Sequence, residues 1–223
     1  MKPRFAIPRG NQRARKAASL PLSPGKFDRI LELARGKEVL DVGCVGGEFD
    51  VGLERTSHAR LASVARSCVG IDIVPNQVAR WRESGYDAVV ANAETMNLGR
   101  LFDLVVAADV LDHLANPARF LEAVHEHLRA DGLLAIVTPN AMSLNHALKS
   151  LAAVRIEANP EHTCWYDRTT LGQLLACHGF EATEEYWQDY QTSPHTTRAL
   201  RLRRNLAAHL IVIARPLTTG AGQ

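Results

Sequence analysis

Three glycines and two aspartates are spaced in a way that suits the binding of a nucleoside. Gly43, Gly46 and Gly47 follow a short apolar run, and a glycine turn lets the backbone approach a ligand closely because no Cβ intervenes. Asp41 lies just before this turn, and Asp72 ends the next apolar run. A carboxylate has two acceptor oxygens, so Asp72 is suited to accept hydrogen bonds from both hydroxyls of a ribose.

Each of these residues also has a plainer interpretation. Asp41 could cap a turn, the glycines could form an ordinary bend from strand to helix, and Asp72 could cap the following helix. A nicotinamide site is disfavoured, because the G-x-G-x-x-G pattern counted from Gly43 would place glycine at Val45 and Glu48. The agreement in order and strand position favours the binding interpretation over the plainer ones.

A second group of polar residues follows the fourth apolar run. Asp109, Asp112 and His113 are close together there, and His113 is the first candidate for a general base. Histidine is the side chain whose ordinary pKa lies nearest to neutral pH. Asp109 and His162 are the other catalytic candidates. The alternative for His113 is that it only packs against the helix that follows.

Residues 139–166 form the longest stretch without a clear assignment and are predicted to cover a ligand pocket. The stretch contains His162 and Cys164, which are both common metal ligands. No convergent set of further ligands is evident in the sequence, so no metal site is predicted. Trp165 and Tyr166 are equally suited to the core and to a ligand platform.

Apolar periodicity and turn residues predict alternating strands and helices. Helices are expected near 27–36, up to about 66 with a break near Thr56 and Ser57, and over 75–84, 117–132 and 168–178. Strands are expected over 37–42, 68–72, 86–91, 101–107, 133–137, 181–187 and 209–214. This order predicts a doubly wound α/β fold with a mostly parallel seven-stranded sheet and antiparallel pairing at one edge.

Composition and charge narrow the class of protein. Hydrophobic residues make up 46% and charged residues 22%, which is typical of a globular chain, and no apolar run is long enough for a membrane span. We expect a flexible basic arm at 1–25, one domain at 26–216 and a disordered tail at 217–223. The four cysteines lack C-x-x-C pairing, which favours the cytoplasm. The net charge of +2 gives little support to nucleic-acid binding, and a homodimer is left open.

Residues 39–47 (VLDVGCVGG) resemble the first motif of class I S-adenosylmethionine (SAM)-dependent methyltransferases, and the resemblance extends through most of 37–215. Residues 69–72 (VGID) are similar to the second motif, and residues 102–114 (FDLVVAADVLDHL) resemble the fourth-strand motif. The resemblance implies a Rossmann-like fold and SAM as the cofactor. It implies a cofactor site made of Asp41, Gly43, Cys44, Gly47, Asp72, Ile73, Asn92, Ala93, Glu94, Ala108 and Asp109.

The resemblance also implies individual roles. Gly43 and Gly47 would lie beside the methionine part of SAM, Asp41 near its ammonium and Asp72 at the ribose, with residues 92–94 around the adenine. Two positions depart from the family pattern. Val45 replaces the middle glycine of the turn, and Asn92 replaces an adenine-contacting acid. An asparagine carbonyl still accepts a hydrogen bond from an exocyclic amine.

Three functions are compatible with these motifs. The first is methyl transfer to a small molecule, with a hydroxyl oxygen favoured, because residues 160–166 (PEHTCWY) resemble family members from natural-product and glycan gene sets. The second is another reaction at the same cofactor site, such as intramolecular cyclisation of SAM. The third is methylation of RNA, suggested by the basic clusters, although no Asn-Pro-Pro-Tyr motif follows the fourth strand.

Overall fold

The apolar runs of the sequence form one seven-stranded sheet. The computed structural model describes residues 27–45, 55–152, 159–188 and 204–217. The strands are β1 (Glu38–Val42), β2 (Ser67–Asp72), β3 (Asp87–Val90), β4 (Phe102–Ala108), β5 (Leu128–Pro139), β6 (Phe180–Gln188) and β7 (His209–Pro216). They lie in the order β3-β2-β1-β4-β5-β7-β6, and β1 to β5 pair in parallel. The predicted doubly wound α/β class is confirmed.

The predicted antiparallel pairing lies at the β6 edge of the sheet. Strand β7 runs antiparallel to both β5 and β6, and β6 is the outermost strand. A 3₁₀ turn at Arg204–Leu206 precedes β7. Because β7 enters the sheet from the opposite direction, its first residue, His209, lies at the same edge as the last residues of β4 and β5.

The described ranges contain six α-helices. They are α1 (Asp28–Ala34), α2 (Ser57–Val64), α3 (Pro75–Glu83), α4 (Pro117–His127), α5 (Leu144–Leu151) and α6 (Arg168–Cys177). All except α5 bury residues against the rest of the fold. Ile30 of α1 packs in one buried cluster with Val39, whereas Phe120 of α4 packs in another with Leu40. Because neighbouring residues of a strand point to opposite faces, both faces of β1 are buried, as expected for a parallel sheet.

Several helix starts follow the sequence signals. The Asn116 side chain accepts a hydrogen bond from the Arg119 amide at 3.2 Å, and Pro117 occupies the first turn of α4. The Thr56 hydroxyl caps α2 through the Ala59 amide, so a helix begins where the sequence predicted a break; the helical stretch expected before it lies outside the described residues. Each cap satisfies an amide that has no partner within the helix.

The boundary between α4 and β5 differs from the prediction. The helix was expected to continue to Gly132, but it ends at His127 and β5 begins at Leu128. Leu128 is buried and pairs with β4, and the Arg129 guanidinium lies 2.6 Å from the Glu38 carboxylate. Burial and this ion pair hold the segment in the sheet, so the continuing helical pattern is overridden by tertiary contacts.

The unassigned stretch 139–166 contains α5, which sequence patterns did not reveal. Ser143 caps this helix, and none of its residues is buried. No helix in the described parts of the chain is long and apolar enough to cross a membrane. The predicted basic arm at 1–25 lies outside the described residues, as do residues 218–223 of the predicted tail. Leu217 is described, and its amide donates to the Gly179 carbonyl at 2.7 Å.

Candidate active site

The turn after β1 is fastened to the end of β2. The amides of Gly43 and Cys44 donate to the Ile71 carbonyl at 2.8 and 3.1 Å, and the Val45 amide donates to an Asp72 carboxylate oxygen at 3.3 Å. Gly43 has a φ of +74°, which glycine adopts without strain. The predicted site residue Gly47, with Gly46, lies outside the described residues.

Asp72 retains acceptor capacity beyond these contacts. Its second carboxylate oxygen accepts the Val74 amide at 3.1 Å, so among the described residues each oxygen accepts one bond and keeps a further lone pair. Asp72 is half-buried, and the following Ile73 leaves 66% of its surface exposed. A carboxylate with free lone pairs beside an exposed apolar side chain has the polar and apolar surfaces that a ribose with a flat base would need.

Residues 92–94 lie where the chain leaves β3, beside the end of β2. The Ala91 amide donates to the Asp72 carbonyl at 3.0 Å, which places Asn92 next to Asp72. The Asn92 side-chain oxygen accepts the Glu94 amide, and a Glu94 carboxylate oxygen accepts the Asn116 amide, at 2.8 and 2.9 Å. Ala93 is buried. The three residues therefore lie beside the end of β2.

Asp41 is enclosed rather than open to a ligand. Only 4% of its side-chain surface is exposed, and its carboxylate lies 3.0 Å from Nδ1 of His58, which is fully buried. Burial raises the pKa of Asp41, and the hydrogen bond from His58 opposes that rise. The structure thus revises the expected contact between Asp41 and a cofactor ammonium, because the carboxylate is turned towards a partner within the protein.

The end of β4 carries a strained residue. Asp109 has a φ of +53°, the left-handed region that residues other than glycine rarely adopt, and its amide donates to the Val137 carbonyl at 2.8 Å. An Asp109 carboxylate oxygen lies 3.6 Å from Nε2 of His209 at the start of β7. Such strain persists where surrounding contacts hold it and is often found at functional sites. Ala108, half-buried, precedes it.

Three polar side chains converge one turn further along. The Asp112 carboxylate is 2% exposed and lies 2.9 Å from Nε2 of His162 and 3.8 Å from Nε2 of His113. The two imidazole rings meet edge to face with centroids 4.7 Å apart. Burial raises the pKa of Asp112, and the nearby charges of His162 and then His113 lower it. A buried carboxylate beside an imidazole can stabilise the imidazolium form when the ring takes up a proton.

Backbone contacts bring His162 to this place from far along the chain. The Thr163 amide donates to the Asp112 carbonyl at 2.8 Å, and the Thr163 hydroxyl donates to the Leu114 carbonyl at 2.6 Å. The Cys164 thiol faces the Leu111 carbonyl. The stretch 162–164 therefore lies along the loop that follows β4, at the carboxyl edge of the sheet.

These side chains could also hold a divalent ion. Asp112, His113 and His162 each offer one ligand atom, and the three atoms lie within 4.8 Å of one another. The sequence places His162 near Cys164 but 50 residues from Asp112, so it does not indicate that the two side chains meet. The structure supplies the missing convergence, and two imidazoles with one carboxylate form a donor set used by zinc and iron.

The sheet order and these motifs define a Rossmann-like, SAM-dependent methyltransferase fold. A family model described as a methyltransferase domain matches residues 12–185, so the chain belongs to this methyltransferase family. The chain therefore contains a methyltransferase domain. The predicted family is confirmed.

The individual relatives and solved structures share only a low sequence identity with this chain. The chain is 26% identical over 177 residues to the ubiquinone biosynthesis O-methyltransferase of Azorhizobium caulinodans, covering 72% of this chain and 65% of the relative. It resembles the structure of a SAM-dependent methyltransferase from Archaeoglobus fulgidus (TM-score 0.58, 18% identity, 84% and 90% of the two chains). It also resembles N-methyltransferase NodS from Bradyrhizobium japonicum (TM-score 0.56, 16% identity, 85% and 93%). The chain spans about two thirds or less of the curated relatives, 65% and 57% of two of them.

His58 and His209 are two polar residues near the site that sequence reasoning missed. Each faces an aspartate that the sequence did identify, Asp41 and Asp109 respectively. His58 lies in an ordinary helix and His209 begins an ordinary strand, so neither forms a motif. The first contact is revealed only by the position of α2 beside β1, and the second only by the start of β7 lying at the edge of the sheet where β4 ends.

Substituting Gly43 with alanine is expected to weaken cofactor binding. A Cβ at this position would lie 2.5 Å from Cγ2 of Val110, so the turn or the loop after β4 must move. Gly36 provides a matched control, because it has a similar φ of +69° but a Cβ added there would meet no described atom within 4 Å. Calorimetric titration of S-adenosylhomocysteine should show at least about tenfold weaker binding for Gly43→Ala and near-normal binding for Gly36→Ala, since a loss of about 1.4 kcal/mol is tenfold.

The double variant Gly43→Ala, Val110→Ala removes the methyl group that the new Cβ would meet. It should recover part of the lost affinity. Equal binding by the Gly36 and Gly43 variants would show that the close approach to Val110 has no role in cofactor binding.

Proposed function

We propose that this methyltransferase transfers the methyl group of SAM to a hydroxyl oxygen of a small-molecule acceptor. The observation that carries the proposal is the buried Asp112 carboxylate between His113 and His162 at the carboxyl edge of the sheet. A hydroxyl becomes a good nucleophile only when it loses its proton, and an imidazole backed by a carboxylate can accept that proton. An amine acceptor has less need of such a group.

The cofactor site in this proposal follows the end of β2 and the turn after β1. The fit of the cofactor is supported by the remaining acceptor capacity of Asp72 and by the exposed apolar surface of Ile73. SAM supplies a methyl group on a positively charged sulfur. The proposed contacts are Gly43, Cys44 and Gly47 for the methionine part, Asp72 for the ribose, and Ile73, Asn92, Ala93 and Glu94 around the adenine. Ala108 and Asp109 face the reacting end, with Asp41 acting from behind the turn.

His113 is the proposed proton acceptor, and His162 is proposed to orient Asp112. The side chain of His113 is 33% exposed, compared with 15% for His162, so an acceptor can reach His113 more easily. His162 is the closer of the two to Asp112. Methyl transfer is an in-line displacement, so the enzyme's main tasks are alignment of the two reactants and exclusion of water.

The names of the relatives are consistent with small acceptors but differ in the atom. One is named an O-methyltransferase of ubiquinone biosynthesis and another N-methyltransferase NodS. We propose oxygen because of the acid and histidine cluster, and a small molecule because the net charge of +2 offers little attraction to RNA. The four cysteines, all within the described ranges, are free, which fits action in the reducing cytoplasm.

The proposal is tested with acceptor pairs that share a skeleton and differ only in a hydroxyl or an amine, such as a catechol and the matching aminophenol. The purified full chain is incubated with methyl-labelled SAM and each acceptor, and labelled products are identified by mass spectrometry. We expect label on oxygen. Label on nitrogen alone, on added tRNA alone, or a cyclised product formed without acceptor would overturn the proposal.

Replacing His113 is expected to slow turnover without weakening cofactor binding. His113→Gln removes the proton acceptor, and loss of a positioned base typically lowers kcat by about 100-fold or more. His125→Gln is the matched control, because this half-buried histidine on α4 lies against the His178 carbonyl and the Phe180 ring and is not part of the proposed site.

Two outcomes would contradict the role of His113. One is equal turnover by the two variants. The other is loss of activity in EDTA that Mn²⁺ restores, because His113 would then serve as a metal ligand rather than as a base. Binding of S-adenosylhomocysteine, measured in parallel, should be unchanged in both variants.

The raised pKa of Asp112 predicts that replacing this residue with asparagine increases the stability of the folded protein and lowers its activity. An aspartate in the unfolded chain ionises at about pH 3.9, whereas Asp112 in the folded protein ionises at a higher pH. Between these two pKa values the folded state holds more protons than the unfolded chain. The free energy of unfolding therefore falls as the pH rises towards the folded pKa. Asp112→Asn does not titrate. Its free energy of unfolding, measured with urea, should therefore gain on the wild type as the pH rises from about 4 towards the folded pKa of Asp112. Turnover should fall, because the amide carries no charge to stabilise an imidazolium. A constant difference across this range would contradict the burial argument.

A further inference from the structure

A second acid and histidine pair lies behind the cofactor turn. Nδ1 of His58 is 3.0 Å from the Asp41 carboxylate, and the two side chains are 0% and 4% exposed. Asp41 is on β1, two residues before Gly43, and His58 is in the first turn of α2. The pair therefore joins β1, which leads into the glycine turn, to helix α2.

The sheet leaves space for this imidazole at one position. Gly70 lies beside Asp41 in the register between β1 and β2. A Cβ on Gly70 would lie 2.8 Å from Cε1 of His58 and 2.6 Å from the Cys44 sulfur. Any larger residue at this position would displace the histidine ring or the turn residue Cys44. Glycine is therefore required at position 70 of the VGID motif because His58 and Cys44 pack directly against its backbone.

The remaining surroundings of the ring are mostly apolar. Trp81 of α3 and Tyr86 meet the His58 ring edge to face at centroid distances of 5.1 and 5.6 Å, and the Cys68 sulfur lies 3.9 Å from Nδ1. Within the described parts of the chain, Nε2 of His58 has no hydrogen-bond partner. Burying a polar ring costs free energy unless its bonds are made, so the bond to Asp41 is the feature that accounts for a histidine here.

We propose that His58 is a positioning residue of the cofactor site, which holds the Asp41 carboxylate beneath the turn and so keeps residues 43–45 in the conformation that Asp72 binds. Without its partner, the buried Asp41 carboxylate would take up a proton or turn towards solvent. Either change would alter the conformation of Asp41 and Val42, which lead directly into the turn at Gly43. The effect is expected on the affinity for SAM, because the contacts that His58 makes among the described residues are with Asp41, Cys68 and the rings of Trp81 and Tyr86, and none is with Asp112 or His113.

The test compares four variants by calorimetric titration of S-adenosylhomocysteine and by kcat and KM for SAM. His58→Leu removes the nitrogen, whereas His58→Asn keeps a donor close to the position of Nδ1. Asp41→Asn with His58→Leu removes the carboxylate and the imidazole together. His127→Leu is the control, because His127 is equally buried on α4 but is bound to the Ala123 carbonyl and the Leu98 amide. Circular dichroism establishes the folded fraction of each.

We expect His58→Leu to raise the Kd and KM for the cofactor at least about tenfold, with kcat at saturating SAM within about twofold of the wild type. His58→Asn should bind within about threefold of the wild type, and the double variant should bind better than His58→Leu. If His58→Leu does not fold, the asparagine and double variants still decide the question. The proposal is overturned if His58→Leu binds like the wild type, if His58→Asn binds as weakly as His58→Leu, or if His127→Leu loses as much affinity.

This inference depends on the cofactor site and not on the acceptor. Binding of S-adenosylhomocysteine is measured without any acceptor, so failure to find a methylated hydroxyl would leave it standing. Conversely, normal binding by His58→Leu would leave the proposed O-methyl transfer untouched.

Discussion

The attachment of the turn after β1 to the end of β2 is the constraint on which the site depends. Two amides of the turn donate to the Ile71 carbonyl, and a third donates to the Asp72 carboxylate. These bonds need β1 and β2 to lie side by side and in parallel, with Val42 opposite Ile71. A carboxylate that already binds the turn is held in one orientation, so its remaining lone pairs are directed before any ligand arrives.

Contacts between an acid and a histidine recur around this edge of the sheet. Asp41 meets His58, Asp109 meets His209, and Asp112 meets His162. In each contact the two residues are distant in sequence, so each one also joins separate segments of the fold. Buried carboxylates are costly without partners, and a histidine can supply either a neutral or a charged one. The same chemistry thus serves structure behind the turn and proton transfer, as proposed, after β4.

The parts of the fold that sequence could predict are those specified locally. The apolar runs of β1, β2 and β4, the cap and proline that begin α4, and the glycine turn with its following acid are all visible in short windows. The end of α4 could not be predicted, because Leu128 and Arg129 continue a helical pattern and are held in β5 by contacts with β4 and Glu38. Helix α5 is only eight residues long and buries none of them, so its signal was weak.

The candidate site divides in the same way. Asp72 and Asp112 could be identified because each follows a strand, and the ends of parallel strands share one edge. The sequence identified His162 as a candidate but not its position beside Asp112. That position depends on the hydrogen bond from the Thr163 amide to the Asp112 carbonyl, which no local pattern indicates. His58 could not be identified at all, because its position depends on the helix rotation and on the space above Gly70.

The most direct test of this account is a crystal structure of the protein with bound S-adenosylhomocysteine. The account predicts that both ribose hydroxyls bind the Asp72 carboxylate and that the amino-acid portion lies against the backbone of residues 43–45. A nucleoside bound elsewhere, or one whose ribose does not touch Asp72, would contradict it.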